Sequence, residues 1–420
     1  MQRTITLRSG LSYSIGQHRF EKDVPKPVQD DELLYRLIQT GMFEESPPLC
    51  YHYIRRKKNL PNSYNRLTQV GGNWMKITEV IYAKLSRYQW SQLEASQQYE
   101  IVPSCEIMDK FVAEGKEDFS LLVVRDMGAG DVIIATDVLY NLRLLYPKAK
   151  ITYATSERYV CLVKNLDFID EVVVIGTENP SDYNVSVNLC GIAEIYPLCA
   201  MVHRSEIFGR AFSDNFQWKE HKICLKIEPD EQAWFEGLNK THNPDNKPVI
   251  AIQPYGSSGH RSLNPVAVNQ VIDWLISQGC FVIVYGERQW PNLFHARPGL
   301  LVLWSALSIR QVITITANVN LLICPDSSGY HMAAAFDTPS VAVFTTIHEG
   351  VRVAHYPRCY PLRTDELNCS PCWDRPCGMP EVSDCIRKIT GERIIAKVSE
   401  VISKNFPYVE HPTYNPPDWE

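Results

Sequence analysis

The sequence predicts an α/β protein made of two Rossmann-like, doubly wound domains that face each other across a cleft, with a small α+β appendage at the N-terminus. Apolar runs of four or five residues alternate with helical segments from residue 119 onward, as in parallel sheets covered on both faces. The alternation restarts after a polar stretch at residues 239–247. The length of 420 residues and the apolar fraction of 45% suit several folded domains.

The appendage is predicted over residues 1–45. Residues 3–7 and 11–15 alternate in strand fashion around Gly10, which favours a hairpin. Asp30 can cap a short helix over residues 31–40. Residues 46–117 form a helical or irregular connector, in which the apolar spacing of residues 74–88 predicts a helix.

The first Rossmann-like domain is predicted over residues 118–227. Its elements alternate in order along the chain: strands at 121–124, 151–154, 172–175 and 183–189, with helices at 131–146 and 157–165. A linker is predicted at residues 228–248.

The second Rossmann-like domain is predicted over residues 249–390. Strands are expected at 249–252, 281–284, 300–303, 321–324 and 340–344, with a helix at 265–278. Residues 391–420 supply a last helix, at 392–404, and a proline-rich tail predicted to be loose. Because such folds bind ligands at the carboxyl ends of their strands, a site is expected in the cleft between the two domains.

A glycine-rich turn follows the first buried strand and opens a helix, with Arg125, Gly128, Gly130 and Asp131 in it. Glycines let a backbone approach a ligand closely, and a helix N-terminus favours anions. Asp131 is therefore predicted either to face a ligand in the cleft or to cap the helix. The spacing is not that of a dinucleotide-binding turn.

A second polar turn follows the strand at 321–324 and also precedes a helix. It contains Asp326, Ser327, Ser328, Gly329 and His331. Side-chain and backbone groups at a helix start suit a diphosphate, although an Asp/Ser N-cap is the simpler alternative.

Together these turns resemble the bacterial heptosyltransferases, glycosyltransferase family nine, over residues ~118–390. That family has Arg-x-x-x-x-Gly-Asp after its first strand, matched by residues 125–131, and Tyr-Pro-x-Ala-x-Ile, matched by residues 146–151. Its second half has an Asp-(Ser/Thr)-Gly-x-x-His-x-Ala-Ala-Ala motif followed by Thr-Pro, matched by residues 326–335 and 338–339. The resemblance implies the GT-B fold, with an acceptor domain followed by a donor domain.

The resemblance also implies an activity. Family members transfer a sugar from a nucleotide diphosphate donor, such as ADP-heptose, to a saccharide or other hydroxyl acceptor, with inversion and with no metal needed for catalysis. Asp131 would be the general base, and the turn at 326–331 would hold the donor. Arg261, with Gly256 and Ser257 in its loop, lies where the family has a phosphate-binding lysine, and Glu287 lies where it has an acid on the nucleoside. Both could instead be solvated loop charges.

Two departures from the family pattern bear on the donor. Asp-Ser-Gly has become Asp-Ser-Ser-Gly, which displaces Gly329 by one position, and Asp137 replaces a proline in the first helix. Either change would be consistent with a donor other than ADP-heptose, or with lost activity.

Four cysteines cluster near the C-terminus: Cys369, Cys372, Cys377 and Cys385. Their spacing suits a structural zinc or iron–sulfur site, while a disulfide or free thiols is the alternative. Some heptosyltransferase relatives have a similar run.

The net charge of −6 does not indicate a chain that wraps nucleic acid. The basic, aromatic stretch at 51–58 nevertheless leaves modified DNA open as an acceptor, beside a solvated basic face. Residues 1–45 resemble short modules of phage structural proteins, so a catalytically silent protein that docks a partner through them is a further alternative. Neither a secretion signal nor a membrane span is evident, which predicts a cytoplasmic protein.

Overall fold

The structure is a computed structural model. It describes residues 102–126, 128–194, 202–257, 259–286, 294, 296–304, 307–363, 371–372 and 384–405, preceded by the backbone of ten short strands up to residue 102.

These ten strands form small antiparallel sheets. They are β1 (Arg3–Leu7), β2 (Ser12–Ile15), β3 (His18–Glu21), β4 (Lys26–Val28), β5 (Phe43–Ser46), β6 (Cys50–Arg56), β7 (Thr68–Val70), β8 (Asn73–Met75), β9 (Ile81–Leu85) and β10 (Tyr99–Val102). Their sheet orders are β4-β1-β5, β2-β3, β10-β6-β9 and β7-β8. Most of the basic stretch at 51–58 lies on β6.

Two expectations for this region are wrong. The strands at 3–7 and 12–15 exist, but they do not pair as a hairpin, because β1 pairs with β4 and β5 while β2 pairs with β3. The helix predicted over 74–88 is replaced by β8 and β9. Ile81, Ala83 and Leu85 also alternate with period two, and pairing with β6 selects that period over the helical one. The helix predicted at 31–40 lies outside the described residues.

The first Rossmann-like half has a four-stranded parallel sheet in the order β13-β12-β11-β14. Its strands are β11 (Ser120–Val124), β12 (Lys150–Thr155), β13 (Glu171–Val174) and β14 (Val185–Asn188). Its helices are α1 (Ser104–Ala113), α2 (Ala129–Leu145), α3 (Glu157–Val163) and α4 (Arg204–Arg210). Most of the strands and the helices α2 and α3 lie where the sequence predicts them.

The second half has a six-stranded parallel sheet in the order β17-β16-β15-β18-β19-β20. Its strands are β15 (Val249–Ile252), β16 (Phe281–Gly286), β17 (Leu300–Trp304), β18 (Leu321–Pro325), β19 (Ser340–Phe344) and β20 (Cys359–Arg363). The remaining helices are α5 (Pro229–His242), α6 (Pro265–Ser277), α7 (Ile309–Asn318), α8 (Ser328–Ala335), α9 (Glu349–Val353), α10 (Asp384–Arg387) and α11 (Gly391–Asn405). Helix α5 fills much of the predicted linker, and α11 packs on α6.

The core is continuous across the two halves, because α2 of the first half packs against α8 of the second. Helix α2 is buried almost all round, from Asp131 to Leu139 and again at Asn141 and Leu142. A helix covered by a sheet on one side and by other helices on the other has little reason to be amphipathic. This contact places the N-termini of α2 and α8 together.

A second connection between the halves is made by one side chain, Arg310 at the start of α7. Its Nε donates to Glu231 Oε1 at 2.6 Å, its Nη2 to the carbonyl of Lys226 at 2.7 Å, and its Nη1 to the carbonyl of Cys161 at 3.2 Å. One guanidinium thus joins α7, the chain between the halves, and α3 of the first half.

Candidate active site

The predicted site residues lie at the two places where ligands bind in doubly wound sheets. In each sheet the strand order reverses beside the first strand, β11 in one half and β15 in the other. The crevice outside the strand ends at such a reversal is the usual ligand site. The turn at 125–131 follows β11, the loop at 256–261 follows β15, and the turn at 326–331 follows β18.

Asp131 is buried in the first half, with 6% of its surface exposed. Its Oδ2 is 2.9 Å from Arg125 Nη2, and its Oδ1 accepts a hydrogen bond from Arg204 Nη1. The cap of α2 is Gly128, so Asp131 is not the capping residue. Burial raises the pKa of Asp131, but Arg204 and Arg125 together outweigh burial and bring it to about 2. The carboxylate is therefore ionised at neutral pH.

Arg125 fixes this part of the site. Its side chain is fully buried, its Nη1 donates to the carbonyl of Leu189 at 2.7 Å, and its guanidinium lies 5.1 Å from the centre of the Phe208 ring. The loops after β11 and β14 are thus joined beside Asp131. Two donor groups and one ring contact on the same planar side chain make the arrangement rigid.

The second half presents Asp326, which is 2% exposed. Its Oδ2 is 3.0 Å from Arg261 Nη2, and its Oδ1 accepts from the hydroxyl of Tyr330 at 3.0 Å. Arg261 also donates to Ser257 Oγ at 3.1 Å, so it is not a solvated loop charge. A Cβ on Gly256 would lie 2.4 Å from the Arg261 carbonyl oxygen, which explains why a glycine occupies this turn.

Ser327 caps α8. Its Oγ accepts from the Gly329 backbone N–H at 3.3 Å and lies 3.3 Å from Gln253 Oε1. The simpler N-cap alternative thus holds for Ser327, whereas Asp326 is engaged by Arg261. A Cβ on Gly329 would lie 2.4 Å from Gln253 Oε1.

The two predicted motifs meet across the domain boundary. A Cβ placed on Gly130 would lie 3.0 Å from His331 Cδ2 and 3.8 Å from Ser328 Cα. His331 is buried and its Nδ1 lies 2.8 Å from the hydroxyl of Tyr356. Burial, and then the neighbouring His203 and Arg352, hold the pKa of His331 well below its usual range. A neutral imidazole therefore lies beside the N-terminus of α2.

Three residues near this contact were not predicted from the sequence. Arg204 reaches Asp131 from α4, Arg352 on α9 is buried, and His203 Nε2 lies 3.2 Å from the Arg352 carbonyl oxygen. Arg204 carries no motif, so spacing alone could not select it. Arg352 follows β19 by eight residues, and a charge in a loop after a parallel strand is a usable signal.

A cavity of about 390 Å³ lies at the other end of the α2–α8 contact. Asp137, His221, His355 and Arg358 are among its lining residues, and none of the predicted site residues lines it. Asp137 Oδ2 is 3.0 Å from His221 Nδ1. The residue that replaces the family's proline therefore forms a separate polar contact.

The structure gives little or no information on the remaining predicted site residues, Glu287 and the four clustered cysteines. Glu287, Cys369 and Cys377 lie outside the described residues, while Cys372 and Cys385 are half-buried. Within the described part of the chain, no three His, Cys, Asp or Glu side chains are grouped as a metal site would need. No helix in the same part has the length and apolar content of a membrane crossing.

Comparison with known families gives a match over residues 211–383 to "Glycosyltransferase family 9 (heptosyltransferase)". No curated protein sequence matches the chain.

Three solved structures are similar in fold. The glycosyl transferase family 9 protein from Veillonella parvula has 14% identity and a TM-score of 0.55, covering 68% of this chain and 97% of its own. ADP-heptose lps heptosyltransferase II of E. coli has 12% identity and a TM-score of 0.53, covering 68% and 99%. The dodecameric iron-containing heptosyltransferase TibC in complex with ADP-D-beta-D-heptose has 12% identity and a TM-score of 0.55, covering 86% and 93%.

These matches confirm the resemblance and the fold class that the sequence indicates. The two parallel sheets of the chain form the two Rossmann-like halves of a GT-B-type fold. The family match at residues 211–383 includes most of the second half of this chain. The chain is therefore similar to glycosyltransferase family 9 over residues 211–383, and it shares the fold of the heptosyltransferases.

Proposed function

We propose that this protein transfers a sugar from a nucleotide diphosphate donor, of the ADP-heptose kind, to a hydroxyl acceptor, with inversion and without a catalytic metal. The observation that carries the proposal is the contact of Gly130 with His331 and Ser328. It brings the turn that holds Asp131 against the helix start that would receive the donor. A general base and a donor site on opposite sides of one cleft are what a single displacement requires.

In this proposal Asp131 takes the proton of the acceptor hydroxyl as its oxygen attacks the anomeric carbon. The bond between that carbon and the diphosphate oxygen breaks, and the diphosphate leaves with the electron pair. One displacement inverts the anomeric centre. Arg261 and the N-terminus of α8 would stabilise the leaving charge, since donors fixed in advance act most strongly where charge develops.

The low pKa of Asp131, about 2, sets a condition on this chemistry. A general base works best when its pKa is near the working pH, and a carboxylate held by two guanidiniums is a weak base. We therefore expect Arg204 to leave Asp131 when substrates bind. Arg204 is the partner able to do so, since its side chain is 21% exposed while that of Arg125 is fully buried.

The proposal is tested by sugar transfer from a panel of nucleotide diphosphate sugars to candidate acceptors, with Asp131→Asn and Asp137→Asn compared. Asp137 is a matched control, because it is a buried aspartate on the same helix but contacts His221 instead of the cleft. We expect Asp131→Asn to lose at least about a hundredfold in rate and Asp137→Asn to keep its rate. Transfer by Asp131→Asn at the wild-type rate would refute the base assignment.

Donor binding gives a separate test. A nucleotide diphosphate sugar at a hundred times its dissociation constant should stabilise the protein by roughly 3 kcal/mol, and Arg261→Ala should remove that effect. If no donor in the panel stabilises the wild type, that result would contradict the donor proposal and favour the alternative of a partner-docking protein that keeps the fold without turnover.

A structural metal site at the cysteine cluster remains a prediction, separate from the transfer reaction. Four thiolates suit zinc or iron, and such a site would be structural, because no predicted step passes through it. Metal analysis of the purified protein, compared with the Cys372→Ser and Cys385→Ser variants, tests it; equal metal content in all three would contradict it.

A further inference from the structure

The hydroxyl of Tyr356 and the imidazole of His331 form a buried hydrogen bond. Only 4% of Tyr356 and 5% of His331 is exposed, and the hydroxyl lies 2.8 Å from His331 Nδ1. Within the part of the chain that the structure describes, neither side chain has another hydrogen bond. The contact can be made in two ways, because either the hydroxyl donates to Nδ1 or a protonated Nδ1 donates to the hydroxyl.

The proton of the Tyr356 hydroxyl favours the first arrangement. Burial raises the pKa of Tyr356 well above its usual range, so the hydroxyl keeps its proton at neutral pH. That proton needs an acceptor, since a buried O–H without one is unfavourable. The described residues offer it no acceptor other than His331 Nδ1. The hydroxyl therefore donates, Nδ1 accepts, and the neutral imidazole carries its own proton on Nε2.

The position of Tyr356 is fixed by its backbone and by its ring. It lies between α9 and β20, where its N–H donates to the carbonyl of Val353 at 2.9 Å and its carbonyl accepts from the N–H of Cys359 at 3.0 Å. Its ring packs edge-on against His331, with centroids 5.5 Å apart, and against His203, with centroids 5.4 Å apart. The hydroxyl therefore has little freedom to turn toward another partner.

His203, the other imidazole against Tyr356, does not compete for its hydroxyl. His203 Nδ1 accepts from the backbone N–H of Ser205 at 3.2 Å, so its proton is on Nε2, which donates to the carbonyl of Arg352 at 3.2 Å. A backbone N–H can only donate and a carbonyl can only accept, so these two contacts determine the tautomer of His203. Among the described residues, the imidazole of His331 has no such backbone partner, and Tyr356 determines its tautomer instead.

The Nε2 atom of His331 lies on the side of the imidazole that faces the first half. A Cβ on Gly130, at the start of α2, would be 3.4 Å from Nε2. Gly130 comes directly before the proposed base, Asp131, along the helix. An Nε2–H can donate to a substrate oxygen at this position, whereas the other tautomer would present a lone pair that can only accept. The tautomer thus decides which hydrogen bond His331 can offer.

We propose that Tyr356 is a positioning residue, which acts on the transfer reaction through His331 by holding its imidazole in the Nε2–H tautomer. The inference rests on the proposed function and adds Tyr356 to it. Tyr356 and His331 belong to the same half, so their hydrogen bond does not depend on how the two halves pack. The N–H is therefore in place before a substrate enters, and the imidazole needs no reorganisation during the reaction.

Nitrogen-15 NMR of the full-length protein, labelled at its 11 histidines, tests the tautomer directly. The protonated and unprotonated nitrogens of a neutral imidazole have well-separated shifts, and His331→Gln assigns the resonances by their loss. We expect a protonated Nε2 in the wild type at neutral pH. Tyr356→Phe keeps the ring and removes the hydroxyl, so it should give a mixture of the two tautomers.

Tyr285→Phe is the matched control for the NMR measurement. Tyr285 is a buried tyrosine on β16 of the same half, and its replacement should leave the tautomer of His331 unchanged. A wild-type imidazole protonated on Nδ1 would overturn the inference. A wild-type tautomer in Tyr356→Phe would overturn it as well.

Kinetics separate a positioning role from a purely structural one. Tyr356→Phe should lower kcat/KM for sugar transfer by about two- to tenfold, as for the loss of one neutral hydrogen bond, and Tyr285→Phe should change it little. In a His331→Gln background, Tyr356→Phe should have no further effect, because an amide N–H donates without a tautomer to be held. Equal losses in both backgrounds would indicate a structural tyrosine and overturn the inference.

The failure of this inference and the failure of the proposed function can be told apart, because the NMR measurement needs neither substrate nor turnover. Sugar transfer by a wild type whose imidazole is protonated on Nδ1 would overturn the role of Tyr356 and leave the transferase proposal standing. An Nε2–H tautomer that depends on Tyr356, in a protein that transfers no sugar, would confirm the hydrogen bond and overturn both the proposed function and the role of Tyr356 in it.

Discussion

Replacing Arg204 with methionine should raise the pKa of Asp131. In the wild type the carboxylate has two guanidinium partners, Arg125 and Arg204, and the charge of Arg204 is the largest single cause that lowers the pKa. Methionine keeps much of the side-chain length and removes the charge. Burial then acts against Arg125 and the more weakly acting Arg352, so the pKa moves from about 2 back toward 3.8, the ordinary value for an aspartate.

The size of the effect follows from the same two values. One pKa unit corresponds to about 1.4 kcal/mol, so a fall from 3.8 to about 2 means that the folded site stabilises the ionised form by about 2 kcal/mol. Because the folded pKa is the lower one, this stabilisation is complete above pH 3.8 and is lost as the pH falls through about 2. Arg204→Met should lose a substantial part of this stabilisation.

The measurement is carbon-13 NMR of protein labelled at aspartate carboxyls, titrated across the acidic range. The spectrum of Asp131→Asn assigns the resonance. Arg210→Met is the control, since Arg210 is an exposed arginine on the same helix. In a transfer assay, the acidic limb of kcat/KM should move to higher pH in Arg204→Met. An Asp131 pKa that is the same in Arg204→Met, Arg210→Met and the wild type would refute the reasoning.

Three further predictions concern packing and pH. Gly130→Ala places a methyl 3.0 Å from His331 Cδ2 and should lower kcat/KM by about tenfold or more, because small displacements at a reacting site are expensive; unchanged kinetics would contradict this. Gly256→Ala places a methyl 2.4 Å from a backbone oxygen and should lower the free energy of unfolding in urea by about 1–3 kcal/mol, whereas a wild-type midpoint would contradict it. Burial, and then His355, lower the pKa of His203 to about 3. The stability held by neutral His203 is therefore complete above pH 6.5 and lost as the pH falls toward 3, so His203→Asn should melt with a weaker pH dependence over that range. Equal slopes would be inconsistent with it.

The sequence predicts the two parallel sheets well because buried parallel strands are uninterrupted apolar runs, which can be recognised without tertiary information. Prediction is less successful before residue 102, where strands are short and their pairing is set by contacts distant in sequence. Residues 81–85 fit both a helical and a strand period, and only the pairing with β6 decides between them.

The site residues also fall into a predictable group and an unpredictable one. The sequence motifs contain Asp131, Asp326 and Ser327, each of which follows a buried parallel strand. Their position at the carboxyl ends of the strands could therefore be predicted from the sequence. Arg204 and Arg352 reach the cluster from helices with no motif, and their proximity depends on how the two halves pack. The packing of the two halves cannot be predicted from the spacing of residues within one motif.

The triple contact of Arg310 has a mechanical consequence. Three acceptors on separate segments meet at one rigid planar group, so relative motion of the halves is least where that group lies. A rotation of the halves about this point would separate α2 from α8, which pack together in the structure, while the contacts of Arg310 stay closed. Weakening the Arg310 contacts, for example by Glu231→Gln, would change how fast the halves separate and, under the proposed function, the rate at which the nucleotide product is released.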